Sequence, residues 1–435
     1  MSALNPTALQ APNSRKPMLA AMMGSIVEWY DFALYGAAAA LVFSKLFFDA
    51  NAAEASAVWA FMTFAAGFLV RPLGGIIFGH YGDKLGRRPM LVITLILMGV
   101  STTLIGLLPT RDMVGPWAAG LLIVLRCLQG LGAGAEYAGA ILVASESSQA
   151  AKRGSAGAWP AAGSWIGSLL ALGVMGAVSS SLSDAQFLSW GWRVPFLISI
   201  LIVAFGYWVR TSVSETAEFE KTKRAQALTK HRPARAPIVE VLRDDWPRLL
   251  VAMGSTVIHT GYSYILQVFA LRYMTAQIHL TSAQALSISS TAYAVGIIVL
   301  PLWGKLCDRI GSREVYLGGA IFSLLYIVPF FYLVNTGNVY LGALALTLGL
   351  AGGMGSQFAA QASFLTQLFP VHIRYSGIAF SREITSALIA GPAPAIATLL
   401  VSYDRGGWHY LSLEMAACAI ITIISLLCAR KFMTE

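Results

Sequence analysis

The sequence predicts an all-α membrane protein of twelve transmembrane helices arranged as two six-helix pseudo-repeats. Three observations carry this expectation. The 435-residue chain is 57% hydrophobic and only 12% charged, with a mean hydropathy of +0.66, where a soluble domain carries roughly 25% charged residues. Its apolar stretches reach the ~20 residues that a bilayer-crossing helix needs. One loop sequence also occurs twice, at matching positions in the two halves.

In chain order, a polar tail (residues 1–17) precedes apolar runs at Met18 to Lys45, Val58 to His80, Met90 to Pro109, Pro116 to Val143, Gly154 to Ser180 and Phe187 to Arg210. These six form an N-terminal bundle, residues 18–210. A polar linker (residues 211–247) interrupts the pattern. The second bundle, residues 248–430, holds runs at Arg248 to Thr275, Leu286 to Gly304, Val315 to Val334, Val339 to Leu365, Gly377 to Ser402 and Tyr410 to Arg430, before a short tail (residues 431–435). Helices are expected because lipid offers the backbone no hydrogen bonds. The 41 glycines suit helices that approach closely through small side chains. The first run exceeds a signal-peptide core and has no small-residue cleavage site, so it is expected to be retained.

The formal charge of +9 follows membrane topology and does not point to nucleic acid. Alternating the helices from an inside N-terminus puts Lys84, Arg87, Arg88, Lys152, Arg153, Lys305, Arg309, Arg313, Arg374, Arg430, Lys431 and the basic linker on the cytoplasmic side. The outer loops keep only Lys45, Arg111, Arg193, Arg272 and Arg405. That asymmetry predicts both termini in the cytoplasm of a bacterial inner-membrane protein. Cys127, Cys307, Cys418 and Cys428 have no metal-ligand spacing, so no metal site is expected. No constellation of nucleophile, metal or cofactor suggests an enzyme.

Charges inside the spans are the exceptions that need a function. Glu28 and Asp31 lie one turn apart in the first helix, where a charge costs about 2.5–3.5 kcal/mol on insertion scales. Helix 4 adds Arg126, Gln129, Glu136 and Tyr137, and helix 5 offers Trp165 as a cavity wall. In the second half, His259, Tyr262 and Gln267 lie along helix 7, Gln357 and Gln361 are i,i+4 on helix 10, and Arg382 follows Ser381 on helix 11. Guanidinium binds carboxylates in a bidentate geometry, while Gln, Tyr and Ser bind hydroxyls or keto oxygens.

The repeat is read from Gly79 to Pro89, GHYGDKLGRRP, which aligns without gaps on Gly304 to Glu314, GKLCDRIGSRE. This doubled GxxxDxxGRR-type loop resembles the loop motif of the major facilitator superfamily. VEWYDFALYG from Val27, FLVRPLGGIIFGHYGDKLGRR from Phe68, LRCLQGLGAGAEYAGA from Leu125 and SWGWRVPF from Ser189 resemble its metabolite:proton symporter family over nearly the whole chain, most closely the shikimate-transporter branch. The resemblance implies the major facilitator fold with a central substrate site, a small organic acid and protons as partners, a lipid bilayer around a monomer, and a proton gradient in place of a cofactor.

In that fold, helices 1 and 4 share the cavity, so Asp31 and Arg126 are the expected internal ion pair. Either Asp31 or Glu28 is the proton carrier. Glu136 is a second proton site or the partner of a gate cation. Arg126, Tyr30, Gln129, Tyr137, Trp165, His259, Tyr262, Gln267, Gln357, Gln361 and Arg382 are the candidate substrate ligands. For His259 the alternative is a core histidine, and for Arg382 a gate network neutralised by Glu383 or another acid. Arg71, Asp83, Arg87, Arg88, Asp308, Arg309 and Arg313 are expected to gate. The function implied is proton-coupled import of a small organic carboxylate by alternating access. A zwitterionic osmolyte symporter and a non-transporting nutrient sensor are the alternatives.

Overall fold

The computed structural model describes residues 15–49, 52–85, 87–134, 153–212, 237–370 and 373–433. Twelve membrane helices follow in chain order. The first half has α1 Met22–Leu46, α2 Ala53–Leu85, α3 Arg87–Ile105, α4 Trp117–Ala133, α5 Arg153–Ser181 and α6 Arg193–Ser212. The second has α7 Trp246–Ala276, α8 Ser282–Ile310, α9 Ser312–Val334, α10 Val339–Leu368, α11 Arg374–Tyr403 and α12 His409–Lys431. Among the described residues, nine helices are long and apolar enough to span a bilayer. A tenth span bends by 45° between Asp184–Gly191 and Arg193–Trp208, while Val92–Ile105 and Trp117–Ala133 are shorter apolar helices.

Local chemistry sets the helix ends. Thr281 caps α8 in a capping box with Gln284, and Asn338 caps α10 by accepting from the amides of Tyr340 and Leu341 at 2.9 and 3.2 Å. Each supplies acceptors for the amides that a helix start leaves unpaired. The outward faces carry apolar side chains such as Leu69, Ile76, Val124, Leu201, Ile298, Leu325 and Leu399. The charged residues described below are buried instead, the reverse of a water-soluble domain.

Within the first half, α2 and α4 touch backbone to backbone. A Cβ on Gly130 would lie 2.1 Å from the Gly67 carbonyl oxygen, so only glycine permits this spacing. The halves meet where α5 crosses α8 and α2 crosses α11. At the first crossing Trp165 fills the space over Gly296, where any Cβ would strike its ring. At the second, Gly391 lies against Ala65 and Phe68.

The repeat also appears in backbone conformation. A π-helical turn interrupts α1 at Ala39–Phe43 and α7 at Ile265–Phe269, 226 residues on, against a loop offset of 225 (Gly79 to Gly304). Further π turns interrupt α10 at Leu348–Met354 and α11 at Ser386–Ala390. Such turns recur at functional sites because they re-aim side chains within a continuous helix.

Candidate functional site

Arg126 is fully buried at the middle of α4. Its Nη1 donates to Gln129 Oε1 at 2.5 Å, and Gln129 Nε2 donates onward to Thr102 Oγ1 at 2.7 Å, which fixes one corner of the guanidinium. Its plane stands 4.6, 4.3 and 4.8 Å from the ring centroids of Phe32, Tyr35 and Phe64, a desolvated cation–π contact of the stronger kind. Among the described residues, Nε and Nη2 have no hydrogen-bond acceptor. These two adjacent donors form the edge of the fork that takes a carboxylate side-on.

The ion pair expected from Asp31 to Arg126 is replaced by a different arrangement. Among the described residues no ion pair within 4 Å joins them, although Asp31 is buried and its charge reaches Arg126. Among the described residues, two buried acids, Glu28 and Glu383, lie on a guanidinium, and both lie on that of Arg71. Arg71 Nη2 meets Glu28 Oε1 at 2.5 Å and Arg71 Nε meets Glu383 Oε2 at 3.2 Å. Glu28 comes from α1, Arg71 from α2 and Glu383 from α11, so this triad bridges the two halves. Its formal charge is −1.

In the second half, His259 is buried with its ring 4.7 Å from Phe358 in a stacked geometry. Among the described residues neither ring nitrogen has a hydrogen-bond partner. Arg382 is buried on α11 and acts electrostatically on His259. Trp165 packs edge-on to Tyr293 and stacks on Phe358. Gln267 accepts from the Tyr293 hydroxyl at 2.9 Å, and its own Nε2 is without a partner among the described residues. Gln361 is buried one turn from Gln357.

Three candidate ligands also hydrogen-bond to neighbouring helices. The Tyr30 hydroxyl donates to the Pro195 carbonyl at 2.7 Å, tying α1 to α6 on the face away from the centre. Its neighbour Trp29 faces the centre instead, 6.4 Å from Tyr264 and 5.9 Å from Phe358. The Tyr262 hydroxyl donates to the Ser323 carbonyl at 3.1 Å, and Gln357 Nε2 donates to Ser323 Oγ at 2.8 Å, so both anchor α9. The periodicity of a helix could not tell these faces apart.

Glu136 and Tyr137 lie outside the described residues, as do the side chains of Asp83, Arg87 and Arg88. Of the other gating candidates, Asp308 at the end of α8 accepts from the amide of Ser155 at 3.1 Å and from its hydroxyl. The acceptor is a carboxylate from one half and the donors lie at the N-terminal turn of a helix from the other, where a negative charge is favoured. Arg309 is exposed. Arg313 reaches the Leu426 carbonyl at 2.8 Å, joining α9 to α12 within one half. At the opposite end Ser402 donates to Glu54 Oε2 at 2.5 Å, from α11 to α2. Both ends are thus tied across the halves, and the charged centre is enclosed between them.

Residues not singled out from sequence complete the site. Phe358 sits among Trp29, Trp165 and His259, and Tyr264 enters the cluster of Phe32, Phe64 and Phe68. Gly67 leaves room for Arg126, since a Cβ there would lie 2.6 Å from its Nε. The Gly67→Ala protein is expected to fold and to lose at least about tenfold in transport, because crowding of about 1–3 kcal/mol falls on the guanidinium. Transport with melting temperature as the fold control tests this, and unchanged transport would show that Arg126 has no fixed position to keep.

Two six-helix halves that bury a charged centre between them have the architecture of a membrane transporter. The chain belongs to the Major Facilitator Superfamily, whose sequence profile it matches over residues 21–394 and 251–435. It is 36% identical over 420 residues to the shikimate transporter of Escherichia coli (strain K12), covering 96% of this chain and 95% of that one. It is 34% identical over 421 residues to the proline/betaine transporter of the same strain, covering 95% and 83%. In fold it matches the proton:xylose symporter XylE bound to 6-bromo-6-deoxy-D-glucose with a TM-score of 0.75, at 15% identity over 96% of this chain and 95% of that one.

Proposed function

We propose that the protein is a proton-coupled symporter that imports a small organic carboxylate by alternating access, the two halves rocking about the central site. The observation that carries this reading is the Nε–Nη2 edge of Arg126, two buried charged donors with no acceptor among the described residues. Leaving a buried donor unmade costs about 1–3 kcal/mol, more for a charged group, and a substrate carboxylate removes that cost.

The buried charges support coupling to a proton. Among the described residues, the buried acidic and basic side chains, histidine aside, are Glu28, Asp31 and Glu383 against Arg71, Arg126 and Arg382. Their formal sum is zero. A monocarboxylate brings it to −1, and net charge is costly in a low-dielectric centre. One proton on a carboxylate of the set restores zero, so anion and proton favour one another's binding. Glu383 joins Glu28 and Asp31 as a candidate proton carrier, since it shares a single guanidinium with Glu28. The basic residues around the repeated loops support a cytoplasmic position for that end.

The relative that carries proline and betaine keeps a second reading in play. The ring cluster of Trp29, Phe32, Phe64, Phe68 and Tyr264 has the chemistry that holds quaternary ammonium groups, and Arg126 would serve a zwitterion's carboxylate. The deciding experiment is uptake by proteoliposomes of α-ketoglutarate, citrate, shikimate and betaine at several pH values. A carboxylate is expected to accumulate under an inward proton gradient, and a protonophore to abolish accumulation while substrate counterflow continues. Betaine uptake uncontested by any acid would favour the osmolyte reading. Binding without counterflow would make the protein a sensor.

A further inference from the structure

A second basic site lies far from the buried centre, at the end of the molecule opposite the repeated loops. A cavity of about 300 Å³ opens there between the outer ends of α2, α7 and α11, and Glu54, Arg272, Tyr273, Gln277, Ser402 and Arg405 are among the residues that line it. Its volume is at the lower bound of ordinary small-molecule pockets, about 300–1,000 Å³. Two of the five basic residues that the sequence assigns to this side meet in it. The remaining arginines of that side are engaged elsewhere. Arg111 pairs with Asp49 at 3.7 Å, and Arg193 donates to the carbonyls of Gly106 and Leu108 at 2.9 and 2.6 Å.

Neither Arg272 nor Arg405 makes an ion pair or a side-chain hydrogen bond among the described residues. The nearby acids are committed. Asp404 accepts from the His409 amide at 2.8 Å and contacts its ring at 2.9 Å, while Glu54 accepts from Ser402. Arg405 also has a backbone φ of 52°, followed by Gly406 at 91°. The left-handed region costs a non-glycine residue about 1–2 kcal/mol, and such strain collects at ligand sites. Gly406 packs closely on Gln277, where a Cβ would lie 2.6 Å from Oε1.

We propose that this cavity is an entry subsite for small organic anions, held by Arg272 and Arg405 before they reach Arg126. The subsite rests on the carboxylate reading above, and it adds a consequence for gating. Glu54 lines the same cavity and interacts electrostatically with Arg272, yet it also bonds Ser402 across the halves. An anion arriving on Arg272 repels Glu54 and weakens the tie between α2 and α11. Substrate at the mouth thereby favours opening of that mouth.

The test uses R272Q/R405Q in the full-length protein, with citrate as the probe. Uptake by the double variant is expected to show a KM raised about tenfold at unchanged maximal rate, since rim charges act mainly on association. Glu54→Gln is expected to lower KM, the opposite sign, which a mere folding defect does not produce. An unchanged KM in R272Q/R405Q overturns the subsite. Calorimetry in detergent separates this from failure of the transport reading. Arg126→Ala protein is expected to retain a citrate-binding event that R272Q/R405Q removes, whether or not the wild type transports citrate. No binding to Arg126→Ala, or equal binding after all three substitutions, also overturns it.

Discussion

Arg126→Ala is expected to abolish carboxylate uptake, with a fall of at least about a hundredfold. Without the guanidinium the substrate carboxylate is left buried and unpaired, a loss of about 2–5 kcal/mol, and each 1.4 kcal/mol is a factor of ten. The same change strands Gln129, which now accepts from Arg126 and donates to Thr102. Arg126→Lys keeps the charge but loses the planar fork and its fit between the rings of Phe32, Tyr35 and Phe64. It is therefore expected to fold normally and still to transport poorly. The measurement is uptake in proteoliposomes alongside the melting temperature. A lysine variant with wild-type uptake would mean that substrate does not meet the fork edge, and the site would have to be sought nearer to His259 and Arg382.

Neutralising the acids on Arg71 is expected to separate driving force from exchange. Glu383→Gln and Glu28→Gln each convert the triad from a formal −1 to zero, the state that one bound proton would produce. Counterflow of substrate should persist in at least one of them, while accumulation driven by a pH gradient should fall to the level set by a protonophore. Asp31→Asn is the necessary comparison, since its carboxylate is buried in the same centre. Whichever of the three variants loses accumulation and keeps counterflow identifies the proton carrier. If all three still accumulate substrate in full, coupling through these carboxylates is wrong. Arg71→Ala is expected to be worse than any of them, because it leaves two buried carboxylates facing one another without their shared cation. Its effect should appear first as lost protein stability.

Much of this site was legible before any coordinates. The expense of ionised groups in lipid marked Glu28, Asp31, Arg126 and Arg382 as functional candidates, and those four side chains are all buried. What remained hidden was which way neighbouring residues face. Trp29 and Tyr30 are equally aromatic and adjacent, yet one joins the central rings and the other binds the Pro195 carbonyl. Phe358 carried no signal, being one phenylalanine among 21, although it stacks on both His259 and Trp165. Gly67 was equally silent, because its value lies in the atoms that it does not have.

The chain by itself determined the fold class, the span positions, the repeat and the residue types that the centre contains. These follow from local rules: hydropathy over some twenty residues, the charge of loops, and self-similarity at a fixed offset. Only the tertiary structure decided that Glu28 and Glu383 meet on Arg71, and that Gln129, in place of Asp31, holds Arg126. Partners drawn from α1, α2 and α11 depend on how helices dock and slide against one another. That register is set by close contacts such as Gly67 against Gly130, which no periodicity within a single helix encodes.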